Sequence, residues 1–253
     1  MYKRQGIIYP IVMGWQWGGG WLAAAGFSDF AGSTLVHSTG GAAALAGIIL
    51  LGARNGRFDS AGNPKALKPF AASSIPLVTI GVFILWLGWF GFNGGSQLAL
   101  GTFDDAVAIS TIFINTNLAA CGGVLAAATI TRLMYGKTDV IQMLNGAIGG
   151  LVAITAEPLA PSPFAAILIG AIGGLIVVFG TKLLFNFKLD DVVGAIPAHM
   201  FAGIWGTLAV PLTNTDATFS AQLIGVLAVN IFVFVVSYIV WSVMKAFITD
   251  HTM

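Results

Sequence analysis

Two histidines, His37 and His199, lie within long apolar stretches and are the residues of this sequence best suited to chemistry. Neutral imidazole offers one N–H donor and one acceptor nitrogen, and it titrates near neutral pH. Such a side chain can relay a proton, hold a small polar molecule or bind the iron of a haem. Because an ionisable residue is costly inside a membrane span, we interpret both histidines as functional.

Each histidine belongs to a copy of one pattern. Residues Asp29 to Gly41 and Asp191 to Gly203 both read Asp-x-x-Gly-x-x-x-x-His-x-x-x-Gly, and both lead into an apolar run. Coincidence is an alternative in a chain rich in glycine and alanine. Agreement of all four residue types in register favours two related repeats that meet at a site near the membrane midplane.

The composition predicts the elements that carry these patterns. Hydrophobic residues make up 57% of the chain and charged residues 8%, and the mean hydropathy is +0.90. These values exclude an ordinary soluble domain and indicate an all-α polytopic membrane protein. A formal net charge of +1 gives no reason to expect a nucleic-acid partner.

A span needs roughly 20 apolar residues, which predicts about seven full transmembrane helices and the stump of another. The stump is residues 6–17, and the full spans are 32–53, 72–97, 105–134, 141–157, 163–185, 191–212 and 220–247.

Basic residues alternate between loops. They cluster in the regions 54–68, 132–137 and 182–188 and recur at Lys245, whereas the intervening loops lack Lys and Arg. The positive-inside rule places the basic loops and the C-terminus in the cytoplasm. Asp29 then lies at the outer end of its span and Asp191 at the inner end of its own, so the two repeats have inverted topology.

Four motifs in combination resemble the ammonium transporter family (Amt/Mep/Rh), closest to its bacterial Amt branch. They are Trp17-Gly-Gly-Gly-Trp21, the Asp29 to His37 segment, Gly88-Trp-Phe-Gly-Phe-Asn-Gly-Gly-Ser96, and the Asp190 to His199 segment followed by Gly-Ile-Trp-Gly-Thr-Leu. The resemblance implies an eleven-helix fold, a homotrimer in the bacterial inner membrane, and ammonium transport rather than an enzyme activity.

The resemblance covers residues 6–253 and implies the end of the fourth helix through the eleventh. We interpret residues 1–5 as a sequencing or cloning scar and the chain as an N-terminally truncated fragment. On this interpretation, the fragment alone should not restore growth to cells that lack ammonium uptake, whereas a full-length version should.

The resemblance also implies roles for individual side chains in the pore. His37 and His199 become paired pore histidines that hold ammonia and relay its proton, and Phe92 becomes the inner of two gating phenylalanines. Without the motif, Phe92 would be indistinguishable from core or lipid-facing neighbours. Relatives carry a further aspartate where this chain has Gly194, so we assign that position no role.

Four more residues match an outer recruitment site for the ammonium cation. Trp17 and Ser96 would contact the cation, Asp29 would order the site from below, and Thr155 would supply a nearby hydroxyl. Each has a structural alternative: Trp17 as an interfacial aromatic, Asp29 as a helix N-cap, and Ser96 and Thr155 as hydroxyls bonded to the preceding helical turn.

Two other functions stay open. One is a membrane redox protein that uses His37 and His199 as axial haem ligands, although the sequence has no Cys-x-x-Cys-His motif. The other is an ammonium sensor with the same pore. A PII-type regulatory protein, binding through a tail beyond this sequence, is a further partner that the resemblance implies. On the transporter interpretation we expect no cofactor and no metal.

Overall fold

The computed structural model describes residues 4–59 and 70–250, and the elements of this part of the chain are helical. Helices α1 to α9 are Tyr9–Gln16, Trp21–Ala24, Thr39–Leu51, Ile75–Gly95, Phe103–Tyr135, Val140–Ile154, Pro163–Asn186, Ala202–Ala209 and Phe219–Asp250. Lys65 and Lys68 of the basic loop, and residues 1–3 of the expected scar, lie outside the described residues.

Three wide π-helical turns and one narrow 3₁₀ turn continue these helices. Arg4–Ile8 leads into α1, and Val210–Leu212 follows α8. The other two are Ser33–Ser38 before α3, here named the first histidine turn, and Ile196–Phe201 before α8, named the second histidine turn. Single π turns inside helices are rare and are frequent at functional sites.

Five segments of the described chain are long and apolar enough to cross a membrane: Ser33–Leu51, Ile75–Gly95, Phe103–Tyr135, Pro163–Asn186 and Phe219–Phe247. Val140–Ile154 and Ile196–Leu212 are apolar but shorter. Both shorter segments fall where full spans are predicted, at 141–157 and 191–212. The second is shorter because residues 191–194 form the loop that precedes the second histidine turn.

Side-chain caps set where several of these helices begin. The Thr102 hydroxyl accepts the backbone N–H of Asp105, whose carboxylate accepts the N–H of Thr102 in return, so α5 starts with a capping box. Asp139 and Ser162 accept backbone N–H groups at the starts of α6 and α7. These caps satisfy donors that would otherwise have no partner at a helix N-terminus.

Helices α5, α6 and α7 pack against one another through small residues. A Cβ atom added at Gly123, Gly150, Gly170 or Gly174 would overlap the backbone of a neighbouring helix. In a membrane, where the hydrophobic effect does not drive helix association, such close backbone approach supplies van der Waals contact. The compact three-helix unit forms the support for both histidine turns, because α6 and α7 contact the second turn and α6 contacts the first.

Helix α9 packs on α3 and holds both halves of the molecule through buried amides. Asn230 accepts a 2.6 Å hydrogen bond from the Ser38 hydroxyl, beside the first histidine turn. The Gln222 side chain exchanges two hydrogen bonds with the backbone of Ser28 and donates a third to the carbonyl oxygen of Thr207 in α8. A single long helix thus fixes the two histidine-bearing segments relative to each other.

An ion-pair cluster joins the loop after α3 to the loop after α7. The Asp190 carboxylate accepts bonds from Nε of Arg54 at 2.6 Å and from its terminal nitrogen at 2.9 Å, and Arg57 lies 3.3 Å away. The Asp190 side chain is 3% exposed. The hydrogen bond from Arg54 holds the pKa of Asp190 below its ordinary value. The sequence pattern does not predict this ion pair.

Candidate functional site

Asp29 caps the first histidine turn with both carboxylate oxygens. One oxygen accepts the backbone N–H groups of Gly32 and Ser33 at 3.0 and 2.8 Å, and the other accepts those of Thr34 and Leu35, both at 2.9 Å. The side chain is 2% exposed. Gly32, with φ of 113°, adopts the left-handed conformation that turns the chain over the carboxylate. The predicted N-cap role of Asp29 is confirmed.

Asp191 does the same at the second histidine turn. Its carboxylate accepts the N–H groups of Gly194 and Ala195 at 3.0 Å and of Ile196 at 2.8 Å. Gly194 repeats the left-handed backbone of Gly32, with φ of 75°. The Asp-x-x-Gly half of the repeated pattern therefore encodes one local structure, an aspartate that ties down the start of a histidine-bearing π turn. It also explains Gly194 without any chemical role.

The two histidine turns lie against each other and run in opposite directions. Gly203 approaches the carbonyl oxygen of Ser33 so closely that a Cβ there would overlap it, and Gly41 approaches Met200 in the same way. Between these contacts, Thr34 and Thr207 share a 2.7 Å hydrogen bond. Low-numbered residues of one segment thus meet high-numbered residues of the other. This antiparallel crossing agrees with repeats of inverted direction.

His37 and His199 meet at the centre of this crossing. Their Nδ1 atoms are 3.3 Å apart, and their ring centroids are 5.3 Å apart with planes inclined by 25°. One Nδ1 donates and the other accepts, so the two rings hold complementary tautomers. The Nε2 atom of His37 is buried without a protein partner among the described residues. The pair can therefore hold one shared proton and leave a ring nitrogen for a small polar molecule.

Aromatic rings cover His37. Trp89 stacks on it with centroids 4.8 Å apart and planes inclined by 18°, and Phe92 lies 5.4 Å away in a tilted contact. Both come from α4 and its Gly-Trp-Phe-Gly-Phe-Asn motif. Sequence analysis assigned Phe92 a place at the pore and missed Trp89. The signal was present, because Trp89 lies in the same motif and one helical turn before Phe92.

Of the predicted recruitment residues, only Trp17 has an exposed ring beside Asp29. The indole N–H of Trp17 donates a 2.9 Å bond to the carbonyl oxygen of Asp29, and the Trp17 side chain is 40% exposed. The Ser96 hydroxyl donates to the carbonyl oxygen of Phe92. Thr155 is fully buried, and its hydroxyl contacts Trp89 and Leu151. The structure thus brings Trp17 to Asp29 and places Ser96 and Thr155 in bonds with their own surroundings.

The geometry of the pair does not fit a haem iron held between the two rings by axial bonds. Axial ligands lie on opposite sides of a haem iron, so imidazole nitrogens at metal distances of about 2.0–2.1 Å would be about 4 Å apart. The Nδ1 atoms are 3.3 Å apart. Among the described residues, no group of three or more His, Cys, Asp or Glu side chains is placed to hold a metal ion.

Comparison with protein-family models and known proteins gives a consistent result. The family model described as "Ammonium Transporter Family" matches residues 5–250. Ammonium transporter Amt2 of Archaeoglobus fulgidus is 45% identical over 214 residues, which are 81% of this chain and 44% of that protein. An ammonium transporter of Bacillus subtilis is 34% identical over 258 residues, 96% of this chain and 60% of that protein. The chain therefore spans about half the length of these relatives.

Solved structures agree with the sequence comparison. A structure titled "Sensor Amt Protein" superposes with a TM-score of 0.88 at 32% identity, covering 95% of this chain and 62% of that one. Candida albicans Mep2 superposes with a TM-score of 0.85 at 27% identity, covering 96% of this chain and 56% of that one. The sequence-based prediction of a helical, multi-pass membrane protein of this fold is confirmed. The chain belongs to the ammonium transporter family.

Proposed function

We propose that this chain carries the conduction path of a membrane ammonium transporter, with His37 and His199 as its selective element. The observation that supports this most is the histidine pair itself. Two imidazoles lie with their Nδ1 atoms 3.3 Å apart on two antiparallel turns. Each turn is held at its start by a carboxylate that accepts three or four backbone N–H groups, which makes the pair rigid.

Acidity gives such a pore a way to separate ammonium from potassium. Moving a bare cation into hydrocarbon costs on the order of 20 kcal/mol in the idealised Born calculation. Removing the proton of ammonium at neutral pH costs about 3 kcal/mol, for a pKa of roughly 9 and 1.36 kcal/mol per unit. Potassium has no proton to release. An apolar path with a few imidazole nitrogens therefore passes ammonia and relays its proton while it excludes potassium.

Trp17 and Asp29 provide a place where the cation is held before it loses its proton. Trp17 is partly exposed, and its indole is fixed by a bond to the Asp29 carbonyl, so an aromatic face is presented in one orientation. Such a face attracts a cation. Phe92, tilted over His37, lies where it can act as a gate. Ser96 enters this proposal only through the Phe92 carbonyl that its hydroxyl contacts.

We place the Asp29 end of the molecule outside the cell and the C-terminus in the cytoplasm. The support is the distribution of Lys and Arg among loops. A reporter fused after Lys137 should then read as cytoplasmic, and one fused near Thr215 as external. Exchange of these two readouts would contradict the orientation without affecting the site.

The test of the proposed function is replacement of the histidines in the complete natural protein that contains this sequence. His37→Asp places a carboxylate where a neutral imidazole lies, and a fixed negative charge partly compensates a desolvated cation. Potassium should then pass together with ammonium. His199→Ala should remove the relay and reduce the ammonium current without admitting potassium. Currents are recorded from reconstituted protein at matched amounts.

Two outcomes would contradict the role proposed for the histidines. If both variants conduct ammonium like the unmodified protein and exclude potassium, the histidines have no part in selectivity. If they only lower the yield of folded protein, the pair has a structural role alone.

Sensing is a second candidate, because one structurally similar protein is titled a sensor. A sensor and a transporter of this family can share the same site, so the histidine variants do not separate them. Ammonium flux through reconstituted protein does: a sensor binds ammonium with little or no flux, whereas a transporter shows flux that saturates with concentration.

A further inference from the structure

Thr155 directly follows the last residue of α6. It is fully buried, and its hydroxyl takes part in two hydrogen bonds. It donates its proton to the carbonyl oxygen of Leu151 at 2.7 Å, and it accepts the indole N–H of Trp89 at 2.9 Å. Because a hydroxyl has a single proton, the bond to Leu151 leaves the oxygen to act only as an acceptor toward Trp89.

Trp89 is held in turn between Thr155 and His37. It is 6% exposed, so its indole N–H has no access to bulk water and depends on the Thr155 oxygen. Its ring lies nearly parallel to that of His37, 18° from coplanar with centroids 4.8 Å apart. The orientation of the indole therefore sets the flat surface against which the imidazole of His37 rests.

The backbone of Thr155 contacts the loop that precedes the first histidine turn. Its carbonyl oxygen accepts the N–H of Ala31 at 3.0 Å, and the adjacent Ala156 carbonyl accepts the N–H of Phe30 at 2.8 Å. Residues 30 and 31 belong to the loop in which Asp29 caps the first histidine turn. One residue at the end of α6 thus fixes both the loop before His37 and the aromatic ring stacked on it.

We propose that Thr155 is a positioning residue, which acts on His37 through Trp89 and does not bind the transported cation. The proposal rests on the proposed function of the histidine pair. The Thr155 hydroxyl donates its proton to Leu151, accepts the indole N–H of Trp89 and is fully buried, so it has no proton to offer and no exposed surface for a ligand approaching Trp17. This assigns Thr155 a role different from the recruitment role that the family resemblance implies.

Replacement by valine separates the two roles. Valine keeps the branched shape of threonine but removes the acceptor, which leaves the Trp89 N–H buried without a partner. The indole should then reorient and His37 should lose its support. We expect the maximal ammonium current to fall by about tenfold, a factor typical of a buried donor left unpaired. The concentration for half-maximal current should not change, because Trp17 and Asp29 are untouched.

Two further variants serve as controls. Thr155→Ser retains the hydroxyl and should restore the current. Thr131→Val removes another fully buried hydroxyl, which donates to the α5 backbone and accepts the N–H of Asp139 away from the histidines, and it should leave the current unchanged. If Thr155→Val instead raises the half-saturating concentration, Thr155 contacts the cation directly and the proposal is wrong. A current equal to that of the unmodified protein would also overturn it.

A spectroscopic measurement keeps the test independent of transport. In protein labelled with 5-fluorotryptophan, the ¹⁹F resonance of Trp89 is identified by its loss in Trp89→Phe. It should move in Thr155→Val and return in Thr155→Ser, and an unmoved resonance would refute the positioning role. The His37→Ala variant distinguishes failure of the proposed function from failure of the role proposed for Thr155. If it transports normally, the proposed function fails; if it is inactive while Thr155→Val is normal, only the role of Thr155 fails.

Discussion

Replacement of Asp29 by asparagine tests how strongly the carboxylate cap holds the first histidine turn. The carboxylate accepts four backbone N–H groups, two on each oxygen. An asparagine side chain oriented with its oxygen in place of one carboxylate oxygen keeps two of these bonds. Its NH₂ group then faces the other two N–H groups and cannot accept from them.

The expected loss of stability follows from the number of backbone N–H groups that asparagine leaves without an acceptor. A buried donor left without an acceptor costs about 1–3 kcal/mol, and Asp29 is 2% exposed, so water cannot substitute. Two unpaired amides predict a loss of about 2–6 kcal/mol in the free energy of unfolding. Because membrane and soluble domains alike have small net stabilities, a loss of this size should be visible as a large shift of the unfolding transition.

The assay is unfolding of the purified chain in detergent by increasing sodium dodecyl sulfate, followed by tryptophan fluorescence. Asp216→Asn is the matched control, since it removes the same charge from an exposed aspartate in the loop before α9, and it should unfold like the original. An Asp29→Asn transition that coincides with the control would mean that the four bonds contribute nothing to stability, and the capping argument would fail.

Two further predictions concern other contacts of the fold. Arg54 holds the pKa of Asp190 below its usual value. The Asp190 carboxylate should therefore stabilise the protein fully at neutral pH, where the Asp190→Asn variant should have a lower free energy of unfolding than the original. This difference in stability should disappear as the pH falls below about 4. Unfolding curves of both proteins, measured at several pH values, would show it. Gly203→Ala should lower the free energy of unfolding by about 1–3 kcal/mol, since its Cβ would overlap Ser33. Gly88→Ala, where a Cβ meets open space in α4, should not, and equal unfolding curves for the two alanine variants would contradict the close-contact argument.

The sequence was sufficient to predict the helices because hydrophobic runs and caps are local signals. The expected spans 163–185 and 220–247 lie within one to three residues of α7 and α9 as observed. The spans expected at 141–157 and 191–212 were too long at one end, because apolar residues continue into the turn after α6 and also occupy the loop before the second histidine turn. Hydropathy measures burial in the membrane and does not distinguish a helix from a tightly capped loop beside it.

The candidate site was predictable to the extent that the repeated pattern encodes it. Asp29 and Asp191 cap equivalent turns, and the glycine that ends each copy makes the close contact between them. The α4 motif was enough to place Trp89 near Phe92, but the stacking of Trp89 on His37 and its bond to Thr155 join separate segments that no sequence spacing relates. The roles of the site residues in transport stay predictions until the variants are measured.

The antiparallel crossing of the two histidine turns has an electrical consequence. Each helix carries a dipole with its positive end at the N-terminus, where Asp29 or Asp191 lies. Since α3 and α8 continue these turns in opposite directions, their dipoles oppose each other along the line between the two aspartates. The backbone then supplies little standing field across the histidines and gives a charge there no electrical preference for either direction. We expect any rectification of the current to come from side chains that differ between the two ends, such as Trp17 beside Asp29.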